Sequence, residues 1–332
     1  MKIPKYNDLN DTAVRRLSQA GDAQRIVFLY ALIATVAAAV ITGIQFALSA
    51  RIDQSGGLSN LGIRSLLSSV AQFLPVVQSV FLLVLEFGYM ACMVRISRGQ
   101  YTSPKTLKAG VDRFWPLLRL TLLKALLYSA VGFGSFYLAV LLFLFSPFSN
   151  KLMDIMTPLL TDNSILSGSV PVLDAATQQA IVSAVRPAFL FLALVFLVFF
   201  IPMYYRYRMA EYVLYDHPES GALFALRESR SMMRGNRRDL FRLDLHFWWF
   251  YGLLILVSVV AYGDLILYLL DIPLPFSDTV GFFLFCLLSL AMQFSIFYFL
   301  RNRVETVYAL AYESLRPEQK DTGVVLGNIF QM

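Results

Sequence analysis

The chain has 332 residues, of which 58% are hydrophobic and only 15% charged, and its net charge is +6. A soluble domain carries about 25% charged residues, so a water-soluble globule of this composition is excluded. Two cysteines and two histidines, with no paired cysteine spacing, exclude a disulfide framework and a His-rich zinc or haem site.

In chain order, six apolar stretches are long enough to cross a bilayer, which takes about 20 helical residues. They are residues 26–48, 70–94, 117–145, 187–205, 243–270 and 281–300. The first has too long an apolar core for a signal peptide, and Asp8, Asp11 and Asp22 precede it, so it reads as an uncleaved anchor. Pro75, Gly132, Gly134 and Gly252 fall inside spans, where neighbouring helices re-satisfy the freed backbone groups. "GFGSF" at 132–136 reads as a close-packing site between helices. The loop 146–186 is too small for a folded ectodomain, and its two ends, 150–162 and 174–185, read as short interfacial helices. The sixth helix is expected to continue through 301–315 and to protrude past a hydrocarbon core of about 30 Å. The expected fold is therefore an all-α integral membrane fold with six transmembrane helices. Residues 1–25 form a cytoplasmic N-terminal segment, 26–316 the transmembrane domain and 317–332 a short cytoplasmic tail.

The charges set the orientation. Of the 28 Lys and Arg residues, 24 lie in alternate segments: the N-terminus, the 95–124 region, the 206–242 loop and the C-terminal end. The other loops hold four. This is the positive-inside pattern, kept through all six spans, and it puts both termini in the cytoplasm. The expected location is the cell membrane.

The 206–242 loop has structure of its own. "HPESGALFALRESRSMMRGN" offers Pro218 and Ser220 as helix starts and Gly235 as a stop. Between them Ala222, Leu223, Leu226, Met232 and Met233 recur at helical spacing, with Arg227, Arg230 and Arg234 mostly on the other face. The spacing predicts an amphipathic surface helix over about 219–234, lying on the inner leaflet. Asn236 is then placed to cap the fifth helix, with Asp239 in its first turn. With Arg237, Arg238 and Arg242 these make six of the loop's eight arginines, a juxtamembrane cluster suited to anionic lipid headgroups on the cytoplasmic side. A nucleic-acid surface would interleave aromatics with the basic residues. Here Phe247, Trp248 and Trp249 follow them, at interfacial depth, so nucleic acid is not the expected partner. A shorter counterpart, "TSPKTLKAGVDRFW", starts at Ser103-Pro104 in the preceding cytoplasmic loop, and the two loops together suggest a parallel repeat.

The segment "YRYRMAEYVLYDHPESGALFALRESRSMMRGNRRDLFRLDLHFWW" resembles a bacterial multi-pass membrane family, domain of unknown function 975. The family pattern runs M-A-x-Y-x-L-x-D-x-P, then A-L-x-x-S-x-x-(L/M)-M-x-G-N, then L-F-x-L-x-L-x-F with a tryptophan behind it. Tyr207, Met209, Ala210, Tyr212, Asp216, Pro218, Ser220, Ala225, Leu226, Ser229, Met233, Gly235, Asn236, Leu240, Phe241, Leu243, Leu245, Phe247 and Trp249 match it, Tyr207 at the family's tyrosine-containing helix end. "FGYMACMVRISRGQ" is similar to the family's second-span exit, and "VYALAYESL" resembles its Y-E-x-L ending. The resemblance covers most of residues 5–316, departs at 146–186, and implies a membrane class without an activity.

The chain shows no nucleotide loop, no HExxH and no GxSxG. The expectation is a protein that is not an enzyme and needs no cofactor. Glu86 lies in the second span, nine residues before Arg95, and Lys124 lies a few turns into the third. Two readings follow: an ion pair between Glu86 and Lys124, or a proton or cation site on Glu86. Tyr204, Tyr205, Tyr207, Tyr212 and Tyr215 read as an aromatic belt, and the alternative is a groove for a headgroup or substrate. The function expected is contact with lipid or with a membrane-protein partner. The alternative is a small transporter or permease subunit in which Glu86 couples ions.

Overall fold

A computed structural model describes residues 3–54, 61–150, 153–154, 157, 175–263, 266–267 and 278–316. Among these residues every element is helical. The order is α1 (Tyr6–Gln19), α2 (Ala23–Gln54), α3 (Leu61–Ser97), a 3-10 turn (Pro104–Lys108), α4 (Ala109–Asp112), α5 (Phe114–Leu144) and α6 (Ala175–Arg206). It continues with α7 (Ala210–Asp216), a 3-10 turn (Pro218–Ser220), α8 (Gly221–Met232), α9 (Arg237–His246), α10 (Trp248–Ala261), α11 (Asp278–Phe299) and α12 (Arg301–Leu315).

Five helices are long and apolar enough to cross a membrane, and a sixth crossing exists if α9 and α10 form one bent span. α2, α3, α5, α6 and α11 carry the five. They coincide with the expected apolar runs because a run of about 20 apolar residues leaves the backbone no stable alternative to an internally bonded helix. Their outer faces carry side chains such as Phe73, Phe133, Leu194 and Leu287, each more than 60% exposed. Water would make that arrangement unfavourable and lipid would not.

The chain falls into two compact units, Met1–Leu118 with Met209–Met332, and Arg119–Arg208. In the second unit α5 and α6 touch through Phe143 and Phe191, with ring centroids 6.4 Å apart, and through Tyr128 and Phe200 at 5.5 Å. In the first unit α3 packs on α2, on the Pro104–Asp112 segment and on α12, and α1 packs on α12. The core sits around the last third of α3, where Phe87 through Val94 are all buried. α12 is buried almost all round, through Val304, Val307, Tyr308, Ala311, Tyr312 and Leu315 among others.

Two glycines set one of these contacts. A Cβ on Gly88 would stand 2.0 Å from the carbonyl oxygen of Leu107, and one on Gly110 would stand 1.9 Å from that of Val84. α3 and the Pro104–Asp112 segment thus meet backbone to backbone, a closeness that small residues permit between membrane helices.

Several expectations are corrected. The fifth stretch is not one straight helix: α9 and α10 meet at Phe247 with a 61° bend. Phe247 has φ −101° and ψ 15° and is fully buried, with its ring edge-on to Tyr6 at 5.5 Å. Packing of that ring fixes the corner, where no Pro or Gly marks it. The sixth helix is not continuous: it ends at Phe299 and a new helix begins at Arg301, whose residues 301–315 are packed into the core of the first unit. The residues from Ala175 on are not a separate interfacial helix; they open α6, which runs unbroken through Pro187. Most of 150–162, and the tail 317–332, lie outside the described residues. A Cβ on Gly132 or Gly134 would meet nothing within 4 Å among the described residues, so these two glycines make no close contact, while Ser135 between Gly134 and Phe136 is buried. Asn236 precedes α9 but makes no side-chain cap; its Nδ2 donates instead to the carbonyl of Met232 at 2.9 Å and closes the end of α8.

Candidate functional site

The polar groups of the first unit converge on α12. Arg301, Glu305, Tyr308 and Tyr312 recur at spacings of four, three and four, which puts them in one row on a helix. Each meets a charged or polar partner.

At the C-terminal end of the row, α3 closes with Gly99 at φ +70°. The N–H of Gly99 donates to the Ile96 carbonyl and that of Gln100 to the Arg95 carbonyl, both at 2.9 Å. This paired closure needs a left-handed residue, which glycine supplies at little strain. Arg98, the residue before it, projects its side chain into the unit. Its NH2 lies 2.8 Å from Asp216 Oδ2 and 2.6 Å from Glu313 Oε1, and its Nε donates to the same Glu313 oxygen at 2.8 Å. Tyr312 donates to Asp216 at 2.7 Å, and Arg316 stands 3.7 Å from the same carboxylate. Tyr212, one turn before Asp216 on α7, stacks on Tyr312 with centroids 5.2 Å apart. Arg113 donates to the Tyr215 carbonyl and stands 5.0 Å over that residue's ring. Burial works against the Arg98 charge, but hydrogen bonds to Asp216 and Glu313 outweigh it and hold its pKa above the ordinary value. Burial, with the Asp216 carboxylate beside it, pushes the Tyr312 hydroxyl up.

In the middle of the row, Tyr308 donates to Asp244 on α9 and its hydroxyl lies 2.9 Å from that of Tyr251 on α10. At the N-terminal end, Arg301 sits in a cage of aromatic faces. Its guanidinium carbon is 4.9 Å from the Tyr30 ring, 5.9 Å from Tyr89 and 4.8 Å from Phe297. Tyr30 and Tyr89 stack on each other at 4.2 Å. Cation–π contacts of this kind favour a desolvated guanidinium. Arg301 also reaches Glu86 at 3.1 Å and Glu305 at 3.7 Å.

The partner that the structure gives Glu86 is therefore Arg301, on α12. Lys124 lies on α5, in the other unit. Of the five tyrosines read as a belt, Tyr205, Tyr207 and Tyr212 are buried and Tyr215 is half-buried. Tyr212 and Tyr215 make their contacts at the Arg98 cluster, with Tyr312 and with Arg113.

The six arginines are not gathered into a site. Arg227, Arg230, Arg234, Arg238 and Arg242 are exposed and Arg237 is half-buried. α8 forms as expected, but its apolar stripe, Ala222, Ala225, Leu226 and Met233, is buried against the protein, largely on α7. Leu223 and Phe224 are exposed instead, at 68% and 38%. Among the described residues no group of His, Cys, Asp and Glu is arranged to hold a metal ion.

Sequence reasoning missed Arg98, Arg301 and Glu313. The motif fragments that contain two of them, "RISRGQ" and "YESL", were visible, as was "LYDHP" with Asp216. The structure brings these three fragments to one ion cluster. Neither the curated proteins nor the solved structures give a match. A family model matches nearly the whole chain, residues 7–319, and on that match this chain belongs to the family described as a protein of unknown function, DUF975.

Proposed function

We propose that this chain is an integral protein of the bacterial cell membrane, with both termini in the cytoplasm, that works through lipid and protein contacts and not by catalysis. The observation that carries the reading is the outward row of basic residues. Arg227, Arg230, Arg234, Arg238 and Arg242 point outward while the apolar stripe beneath them is already used inside the protein. The chemistry of such a row fits an anionic leaflet, where each basic residue near the surface is worth about 1 kcal/mol. The asymmetric placement of 24 of the 28 cationic residues supports the orientation.

The test is lipid capture. The protein is reconstituted in nanodiscs of mixed zwitterionic and anionic lipid, and the bound lipid is measured by mass spectrometry. Enrichment of anionic lipid by the wild type, reduced when Arg227, Arg230, Arg234 and Arg238 are changed to Gln, is the expected result. Equal lipid composition in both contradicts the reading.

A second reading, a small transporter or permease subunit, keeps one observation in its favour: the Glu86 side chain is 48% exposed on an apolar helix in spite of Arg301. Glu86→Gln protein that inserts normally but loses a proton or cation flux in proteoliposomes would bring it forward.

A further inference from the structure

We propose that the pocket between the N-terminal arm and α9 holds the phosphate of an anionic phospholipid headgroup. This deepens the membrane-contact reading above and rests on it, but names one defined site in place of a diffuse charged face.

The pocket has a volume of about 320 Å³ and is lined by Lys5, Tyr6 and Asn7 on one side and Asp239, Arg242 and His246 on the other. That is the small end of the range for small-molecule sites and fits a headgroup rather than a whole lipid. Its walls are held in place. Tyr6 stacks on His246 at 4.5 Å and 21°, and meets the fully buried Phe247 edge-on. His246 Nδ1 lies 2.7 Å from the Arg242 carbonyl, which can only accept, so Nδ1 carries the hydrogen and the ring orientation is fixed. His246 is a wall of the pocket.

Three of the lining residues carry donor groups: the Lys5 ammonium, the Arg242 guanidinium and the Asn7 amide. Asp239 also lines the pocket, and its carboxylate is 3.9 Å from Arg242, whose side chain is 76% exposed. That loose contact leaves the guanidinium fork available. Two cations against one carboxylate leave a single positive charge, the complement of a phosphodiester. A bidentate guanidinium is the side chain best matched to phosphate oxygens.

The surroundings favour a lipid over free phosphate. Phe241 and Leu245 stand beside Arg242 on the surface of α9, and Trp248 opens α10; they are 41%, 53% and 70% exposed. The donors therefore lie next to an exposed apolar rim, at the corner where the chain enters the apolar α10. A phosphate with acyl chains attached uses both features; inorganic phosphate uses only the first.

The experiment uses the full-length protein in a nonionic detergent and native mass spectrometry. The probes are dihexanoyl phosphatidylglycerol, dihexanoyl phosphatidylcholine and inorganic phosphate. The wild type should bind one copy of the phosphatidylglycerol saturably, at least about tenfold tighter than the phosphatidylcholine. Lys5→Gln with Arg242→Gln should weaken that copy about thirtyfold, since each basic residue near the headgroup contributes roughly fivefold. Lys105→Gln with Lys108→Gln, two exposed cations away from the pocket, should leave it unchanged. Both residues of the first pair are exposed, and an unchanged melting temperature will show that the fold is intact. A tight copy indifferent to the Lys5/Arg242 change overturns the pocket and leaves the membrane-contact reading standing, provided looser anionic lipid is still enriched. Inorganic phosphate binding as tightly as the lipid makes the site a free-anion site and overturns the headgroup proposal. Loss of all preference for anionic lipid overturns both.

Discussion

Arg98 reaches Asp216 at 2.8 Å across 118 residues of chain, and the contact ties the end of α3 to the end of α7. Glu313 accepts from the same guanidinium, so α12 is held to both. The Asp216 side chain is only 5% exposed and that of Arg98 18%. Breaking a buried pair from one side strands a charge and costs about 3 kcal/mol or more. Asp216→Asn and Arg98→Met should each lower the melting temperature in detergent, and the double variant should lose less than the sum of the two. Thermal unfolding of the three variants measures it; strict additivity would mean the two residues do not interact.

The Gly88–Gly110 crossing predicts a contrast between glycines that look alike in sequence. Gly88→Ala and Gly110→Ala drive a methyl into a backbone carbonyl and force α3 and the Pro104–Asp112 segment apart. Overpacking of this kind costs about 1–3 kcal/mol, and a rigid backbone neighbour puts it at the upper end. Gly132→Ala and Gly134→Ala meet open space, and alanine's helix propensity should make them neutral or stabilising by up to about 1 kcal/mol each. Equal behaviour of the two pairs in a detergent unfolding assay would contradict the close approach.

The fold was legible in sequence where one-dimensional signals suffice, and illegible where tertiary contacts override them. The apolar runs located α2, α3, α5, α6 and α11, because length and apolarity alone specify a spanning helix. Pro218 and Gly235 bracketed α8 correctly. The corner at Phe247 and the break at Leu300 carry no Pro or Gly; the packed Phe247 ring and the Arg301 cage set them. Arg301, Glu305, Tyr308 and Tyr312 had a readable helical spacing, but no local signal marked the break at Leu300 or the partners this row meets. Arg98 was counted only as a cytoplasmic charge, because no local pattern announces partners 118 and 215 positions away.

Glu86 tests the same point in a different place. Its carboxylate lies 3.1 Å from Arg301, whose own side chain is 13% exposed and ringed by Tyr30, Tyr89 and Phe297. Arg301→Met should destabilise the protein more than Glu86→Gln, because the arginine also loses three aromatic faces. Adding Glu86→Gln to Arg301→Met should recover part of the loss. A coupling of Glu86 to Lys124 in the same double-mutant cycle, with none to Arg301, would contradict the assignment.

The central claim is that the basic, densely packed layer built on α1, α7, α8 and α12 faces the cytoplasm and the loops with few cations face out. Topology reporters fused after Gln100, Gly235 and Met332, and after Gly56 and Asp162, test it most directly. The account predicts internal readings for the first three and external readings for the last two. An external reading at Gln100 or Gly235 would contradict it, since the arginine row would then face the wrong side of the membrane.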